Sequence, residues 1–209
     1  MIEIFLIGSG GHARACIDVI ECERRFKIIG LIEKDVSLTK NNLGYPIIGV
    51  DDDLEKLRNK YKNAFITIGQ IKSPDTRIKL YKILDKLHFN MPVIKSPLSY
   101  ISEHAEVDKG TIIMHGTVVN AGSKIGRNCI INNQALIEHD AEVGDHCHIA
   151  TGAIINGEVT VGDGTFIGSG VVTKHCIRIG RNCVIGSGAI IKTDIPDNQL
   201  VINWKKLPH

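Results

Sequence analysis

The sequence predicts an α/β domain over residues 1–95 followed by an all-β parallel β-helix over residues 96–209. Two observations carry this division. In the first half, short apolar runs alternate with segments of helical periodicity, the pattern of a parallel sheet with helices on its faces. In the second half, Ile or Val returns every six residues from Ile101 to Ile191 without a slip in register. Fifteen of those sixteen positions hold one or the other, and Thr173 is the exception.

Ile4 to Ile7 forms a strand that ends at Gly8, and a helix runs from Gly11 to about Arg24, with Ala13, Cys16, Ile17 and Ile20 at helical spacing. Ile28 to Ile32 makes a second strand, Asp51 to Tyr61 a charged amphipathic helix, and Ala64 to Ile68 a third strand. Pro74 to Leu87 is a further helix, and Met91 to Ile94 a last strand of the same sheet.

The hexads of the second half restrict two more places. The fifth place holds small side chains, among them Ala105, Thr111, Thr117, Ser123, Cys129, Ala135, Ala141, Cys147 and Ala153. The fourth place favours residues that tolerate a positive φ: Gly110, Gly116, Gly122, Gly152, Gly164, Gly170 and Gly188, joined by Asn128, Asp140, Asn182 and Asp194. A β-branched residue inside, a small one beside it and a corner every six residues describe a triangular solenoid. Three hexads make one coil, so residues 18 apart stack about 4.8 Å from each other. Sixteen hexads give roughly five coils, and so short a solenoid leaves apolar outer faces that side-by-side trimerisation would cover.

Composition narrows the class. Lys and Arg total 25 against 23 Asp and Glu, a net charge of +2 that is too balanced to argue for nucleic acid or an anionic membrane. No apolar run approaches the 18 or so residues of a membrane span. The opening Met1-Ile2-Glu3-Ile4-Phe5 lacks the basic stretch of a signal peptide, so a reduced, cytoplasmic setting is expected. Six cysteines form no C-x-x-C pair. Cys129, Cys147 and Cys183 take the small inward place, so they read as packing residues rather than nucleophiles or metal ligands.

Outward places of the hexads carry the chemistry. His104 and His146 fall at the fourth, corner place and read as turn residues, while His115 and His175 sit exposed at the third. His139 also holds the third place, but Ala121 lies one coil before it and Gly157 one coil after. Its imidazole therefore has open space, with a backbone N–H of Gly157 about one coil away; a plain surface histidine is the other reading. His148 interrupts the apolar sixth-place column Ile112, Ile130, His148, Phe166, Val184. It is either a core residue with one hydrogen bond or part of an interface site.

In the first half, Gly8-Ser9-Gly10-Gly11-His12-Ala13 fits G-x-G-x-x-A between a strand and a helix, with Glu33 about twenty residues on. A full dinucleotide fold needs two mononucleotide halves, and 95 residues supply one. A half-Rossmann domain with one nucleotide's phosphates at the helix N-terminus is the better match.

Taken together, the strand followed by G-x-G-G-H-A, the hexads, and the stretch from Ala135-Leu136-Ile137-Glu138-His139-Asp140 to His146-Cys147-His148-Ile149 closely resemble the NeuD/PglD-type sugar acetyltransferases of the hexapeptide-repeat family. The resemblance covers nearly all of residues 1–196. It implies a left-handed β-helix, a homotrimer with sites between subunits, and acetyl-coenzyme A as co-substrate with no metal. It implies His139 as general base with Asp140 raising its basicity, and coenzyme contacts at His148, Gly157, Ser169 and Ser187. It further implies that Gly10, Gly11, His12, Ala13, Arg14, Glu33, Lys34, Gly69 and Gln70 hold a UDP-, dTDP- or GDP-linked sugar.

The physics agrees with that assignment. A sugar amine is mostly ammonium at neutral pH, and a histidine titrating nearby is an efficient acceptor of its proton. A carboxylate on the other ring nitrogen sets the tautomer, and a backbone N–H at Gly157 would receive the thioester oxygen's developing charge. N-acetylation of a 4-amino-4,6-dideoxy sugar is the leading expectation and sialic acid O-acetylation the second. A non-catalytic nucleotide-binding trimeric scaffold is a third, which would need neither His139 nor Asp140. Two stretches depart from the family pattern: the long loop Gly69 to Arg77, and the tail Val201-Ile202-Asn203-Trp204-Lys205-Lys206.

Overall fold

A computed structural model describes residues 1–34 and 42–202. The Asn203 to Lys206 part of the atypical tail lies outside the described residues. The N-terminal part is a four-stranded parallel sheet. Strand β1 (Ile2–Ile7) leads to helix α1 (Gly11–Glu23) and strand β2 (Phe26–Ile32). Strand β3 (Ile47–Gly49), helix α2 (Leu54–Arg58), strand β4 (Ala64–Ile66) and helix α3 (Asp75–Lys86) follow. The strand order is β3-β2-β1-β4. Central β1 is buried from Ile4 to Ile7, which is why it reads as an unbroken apolar run.

Three expectations change. The helix foreseen over Asp51 to Tyr61 is a 3-10 turn, Asp51–Asp53, followed by only five α-helical residues, and Leu54 alone is buried in it. Strand β3 was not foreseen; three half-buried residues at a sheet edge give too short a pattern. The strand expected over Met91 to Ile94 does not join the α/β sheet. Ile94–Lys95 pairs with Ile112–Ile113 instead and opens the β-helix. Ile94 lies 18 residues before Ile112, so it belongs to the same column.

The solenoid has three walls of two-residue parallel strands, each strand up to Ile190–Ile191 being the sixth and first places of a hexad. Wall one stacks seven strands from Ile94–Lys95 to Leu200–Val201, wall two six from Tyr100–Ile101 to Ile190–Ile191, and wall three five from Glu106–Val107 to Arg178–Ile179. The pairing register is 18 residues between adjacent full repeats, as in Leu136↔Ile154 and Ile130↔His148. First-place Ile and Val fill the interior together with Cys129, Cys147 and Cys183, all buried and free. The glycine corners take positive φ, and so do Asn128, Asp140, His146, Asn182 and also Gln134, Glu158 and Cys176. Stacked coils above and below hold those three in a conformation that costs roughly 1–2 kcal/mol each. Asp194 and His104, also fourth-place residues, do not take a positive φ.

The outer faces of the walls differ. Wall one is covered by the chain's own α/β domain: Ile94, Ile112 and Ile130 pack with Ile4, Leu6, Cys16, Ile17 and Ile20 in one cluster. This corrects the expectation that the His148 column is a face between subunits. Wall three carries Glu106, Lys124, Glu142, Thr160 and Arg178, with Lys124 paired to Glu142 at 3.6 Å. Wall two presents Tyr100, Val118, Leu136, Ile154, Val172 and Ile190. Its ends are open to solvent, Tyr100 at 59% and Ile190 at 63%.

Candidate active site

His139 stands at the corner between walls two and three. The backbone there is set by Asp140, whose φ is +57°, and by the bond from Asp140 N–H to the Ala121 carbonyl one coil back. That corner turns the Asp140 carboxylate onto the imidazole, with Nδ1 of His139 2.9 Å from Oδ2. The hydrogen bond that His139 Nδ1–H donates to the Asp140 carboxylate raises the His139 pKa above its ordinary value, with the nearby carboxylates of Asp140, Glu138 and Glu158 adding to it. Gly122, one coil before Asp140, makes room for this pair: a Cβ there would collide with Oδ1 of the carboxylate. Sequence reasoning missed Gly122, although it was visible as the glycine stacked beneath Asp140.

Gly157 has the same relation to the ring. A Cβ at Gly157 would lie 2.7 Å from both Cε1 and Nε2 of His139, so only glycine leaves the ring where it is. The Gly157 N–H has no acceptor among the described residues. With Asp140 on Nδ1, the free nitrogen Nε2 borders a cleft of about 590 Å³ lined by Glu138, His139, Asn156, Gly157, Glu158, Lys174 and His175. Sequence reasoning left His175 without a role and did not single out Asn156 or Lys174. Their signal was the 18-residue spacing, which stacks Asn156 on Glu138 and His175 beyond Gly157.

Ser169 and Ser187 are exposed at the opposite edge of wall two, at the corner between walls one and two. One chain does not bring them to His139. His148 lies elsewhere again, on wall one and buried. Its Nδ1 is 2.6 Å from the Gln70 carbonyl and its Nε2 3.2 Å from the Asn132 amide nitrogen. Burial lowers its pKa, the hydrogen bond to the Gln70 carbonyl partly opposes this and the nearby Arg77 cation lowers it again, so that it lies at about 4.

The second group of expected residues gathers at the end of β1. Gly10 caps α1 with no side-chain hydrogen bond, and a Cβ at Gly10 or Gly11 would meet nothing within 4 Å. The first turn of α1 carries no acidic residue, and a helix N-terminus of this kind favours an anion. Glu33 braces the loop, accepting from Ser9 N–H at 3.0 Å and Ser9 Oγ at 2.6 Å, and from Lys34 N–H at 2.9 Å. Asn42, unforeseen, closes the other side: it donates to the Ser9 carbonyl at 2.7 Å and accepts from Arg14 Nε at 3.2 Å.

Ala13 is buried, and His12 turns inward against Cys16 Sγ at 3.3 Å. Burial pushes the His12 pKa down to about 3, with Arg77 and then His148 adding to the effect. Gly69 borders His12, a Cβ there coming to 3.4 Å of the His12 Cβ. Arg77 closes the long Gly69 to Arg77 loop from beneath. Fully buried, it donates to the carbonyls of Ile66 and Ile68 and to both oxygens of Asn128 on the β-helix.

A hexapeptide solenoid with a carboxylate-paired histidine at its corner, docked on a glycine-loop α/β domain, defines a hexapeptide-repeat transferase. Both parts of the chain match family models of that kind. Residues 3–84 match the PglD N-terminal domain, and residues 122–157 and 158–193 match the bacterial transferase hexapeptide repeats. The solenoid is accordingly a left-handed β-helix.

Among solved structures, a perosamine N-acetyltransferase from Caulobacter crescentus, in complex with CoA and GDP-perosamine, is 28% identical with a TM-score of 0.88. The match covers 95% of this chain and 92% of that one. The acetyltransferase domain of PglB from Neisseria gonorrhoeae, in complex with acetyl coenzyme A, is 25% identical with a TM-score of 0.84, over 95% and 94% of the two chains. WeeI from Acinetobacter baumannii, 24% identical with a TM-score of 0.84 over 97% and 98%, shares the fold. No curated protein matches significantly in sequence. No helix among the described residues is long and apolar enough to cross a membrane.

Proposed function

We propose that this chain transfers the acetyl group of acetyl-coenzyme A to the 4-amino group of a nucleotide-linked 4-amino-4,6-dideoxy sugar. In this reading residues 1–95 bind the nucleotide-sugar, and residues 96–209 bind the coenzyme and perform the transfer. The observation that carries it is the His139–Asp140 pair, with Nε2 free at the edge of a cleft. The similarity to a protein solved with CoA and GDP-perosamine supports the choice of substrates.

The sugar ammonium first loses a proton to solvent; Nε2 of His139 takes the next proton from the nitrogen as the neutral amine attacks, and Asp140 stabilises the imidazolium that forms. The amine attacks the thioester carbonyl, and the Gly157 N–H, which has no acceptor among the described residues, suits the oxygen as charge develops on it. Collapse forms the amide and releases the coenzyme thiolate, which the imidazolium protonates. Ser169 and Ser187 reach such a site only from a second copy. Apolar wall two lies between their corner and that of His139, so trimerisation through wall two would bring one subunit's serines to another's histidine.

The test is an acetyl-transfer assay across UDP-, dTDP- and GDP-linked 4-amino sugars, with sialic acid as the hydroxyl control. One nucleotide amino sugar should turn over at least a hundredfold faster than sialic acid. Transfer to sialic acid alone would replace the reading with O-acetylation. Nucleotide binding without any turnover would leave a scaffold.

A further inference from the structure

The resemblance assigns His148 to the coenzyme, yet its surroundings point elsewhere. His148 is 7% exposed, and both ring nitrogens are engaged within the chain. A carbonyl only accepts, so Nδ1 carries the proton and donates to the Gln70 carbonyl at 2.6 Å. Nε2 is then the acceptor, facing the Asn132 amide nitrogen at 3.2 Å. Phe166 presses its ring against His148 edge-on at 5.2 Å between centroids. A coenzyme bond to this ring would have to displace one of these partners.

Gln70 completes the arrangement from the other side. It is 3% exposed, and its Nε2 donates to the Gly164 carbonyl, one coil above the His148 corner, at 3.3 Å. Its Oε1 is buried with no partner among the described residues. A Cβ at Gly69 would come to 3.4 Å of the His12 Cβ, and the His12 ring lies 6.3 Å from that of His148. Of the residues expected on the nucleotide side, Gln70 is therefore tied to the β-helix by two hydrogen bonds, one at its own backbone carbonyl and one to the Gly164 carbonyl, and Gly69 and His12 lie beside it.

We propose that His148 is a positioning residue for the nucleotide loop: with Gln70 it latches the Gly69-Gln70 loop to the β-helix and so sets bound nucleotide-sugar in register with the acetyl donor. The inference rests on the function proposed above. A loop carried by the α/β domain alone could tilt with that domain. A loop hydrogen-bonded in both directions moves only with the β-helix, on which His139 stands.

Three variants test it in the full-length protein by steady-state kinetics. His148→Phe keeps an aromatic ring among Ile130, Phe166 and Val184 but leaves the Gln70 carbonyl without its donor. It should raise KM for the nucleotide-sugar about tenfold, the effect of one lost buried hydrogen bond. KM for acetyl-coenzyme A should stay within about twofold. His148→Asn places an amide N–H where Nδ1 was and should recover most of the loss, which a merely bulky packing residue would not. Gln70→Met removes the bond to Gly164 from the opposite side and should give the same one-sided KM change, even if His148→Phe fails to fold. A rise in KM for acetyl-coenzyme A with the nucleotide-sugar KM unchanged would overturn the latch and return His148 to the coenzyme. Unchanged constants in both His148→Phe and Gln70→Met would also overturn it. Failure of the wild type to use any nucleotide-linked amino sugar would instead sink the function on which the inference rests.

Discussion

His139 acquires its chemistry from three neighbours, each supplied by a different coil or corner. Asp140 follows it in the chain and turns onto Nδ1 because the corner takes a positive φ. Gly122 and Gly157, in the coils on either side, leave the volume that the carboxylate and ring occupy. His139→Ala should therefore lower kcat by roughly 10² to 10⁴, the usual range for losing a general base, while acetyl-coenzyme A still binds. The base acts in its neutral form, so rate rises with pH through the His139 pKa. Asp140 holds that pKa above 6.5, and Asp140→Asn should move the acidic limb of the pH–rate profile to lower pH along with a smaller loss of kcat. If His139→Asn kept near-normal kcat with only a raised KM, His139 would be a hydrogen-bonding contact and not the base.

Among the elements, α1 makes the cleanest prediction. Its N-terminus is glycine on both sides of the first helical residue boundary, and a side chain at Gly11 would project into open space. Gly11→Val should fold normally, and by crowding the phosphate approach it should raise the nucleotide-sugar KM without touching the coenzyme KM. Equal loss of both, measured in parallel titrations, would place Gly11 outside the nucleotide site. The same element covers the apolar outer column of wall one. Ala13, Cys16, Ile17 and Ile20 were legible as one helical face. What that face would meet was not, because helical periodicity says that a stripe is buried and nothing about its partner.

For the whole molecule, wall two is the apolar face that the chain itself leaves uncovered. Light scattering should report a particle near three times 22.9 kDa. Ile154→Arg, at the middle of wall two, should dissociate it and weaken coenzyme binding while nucleotide binding persists. A wild-type monomer at micromolar concentration would remove the shared-site arrangement. The seam between the domains also makes stability depend on pH. His12 and His148 titrate at about 3 and about 4 in the fold, against 6.5 when exposed. Between pH 6.5 and about 4 the unfolded chain therefore binds more protons than the folded one, and stability falls as pH falls through that window. The urea midpoint should drop from pH 7 to pH 4.5, and His148→Phe should lessen the drop. A midpoint unchanged over that range would mean that these rings are solvated.

The six-residue register, the inward Ile and Val, the small fifth place and most positive-φ corners followed from sequence alone, because a solenoid repeats one local rule and each coil contacts only its neighbours. The same arithmetic put Gly157 beside His139. The glycine loop was equally local, a strand, a turn and a helix N-terminus within fourteen residues of Met1. Tertiary structure decided what depends on distant segments meeting. It assigned Ile94 to the β-helix instead of the α/β sheet and covered wall one with α1. It also brought Asn42 to the glycine loop, 33 residues from Ser9, and His148 to the Gln70 carbonyl, 78 residues away. A polar residue in an apolar column has no local reading, since what satisfies it is whichever backbone group the docking of two domains carries there.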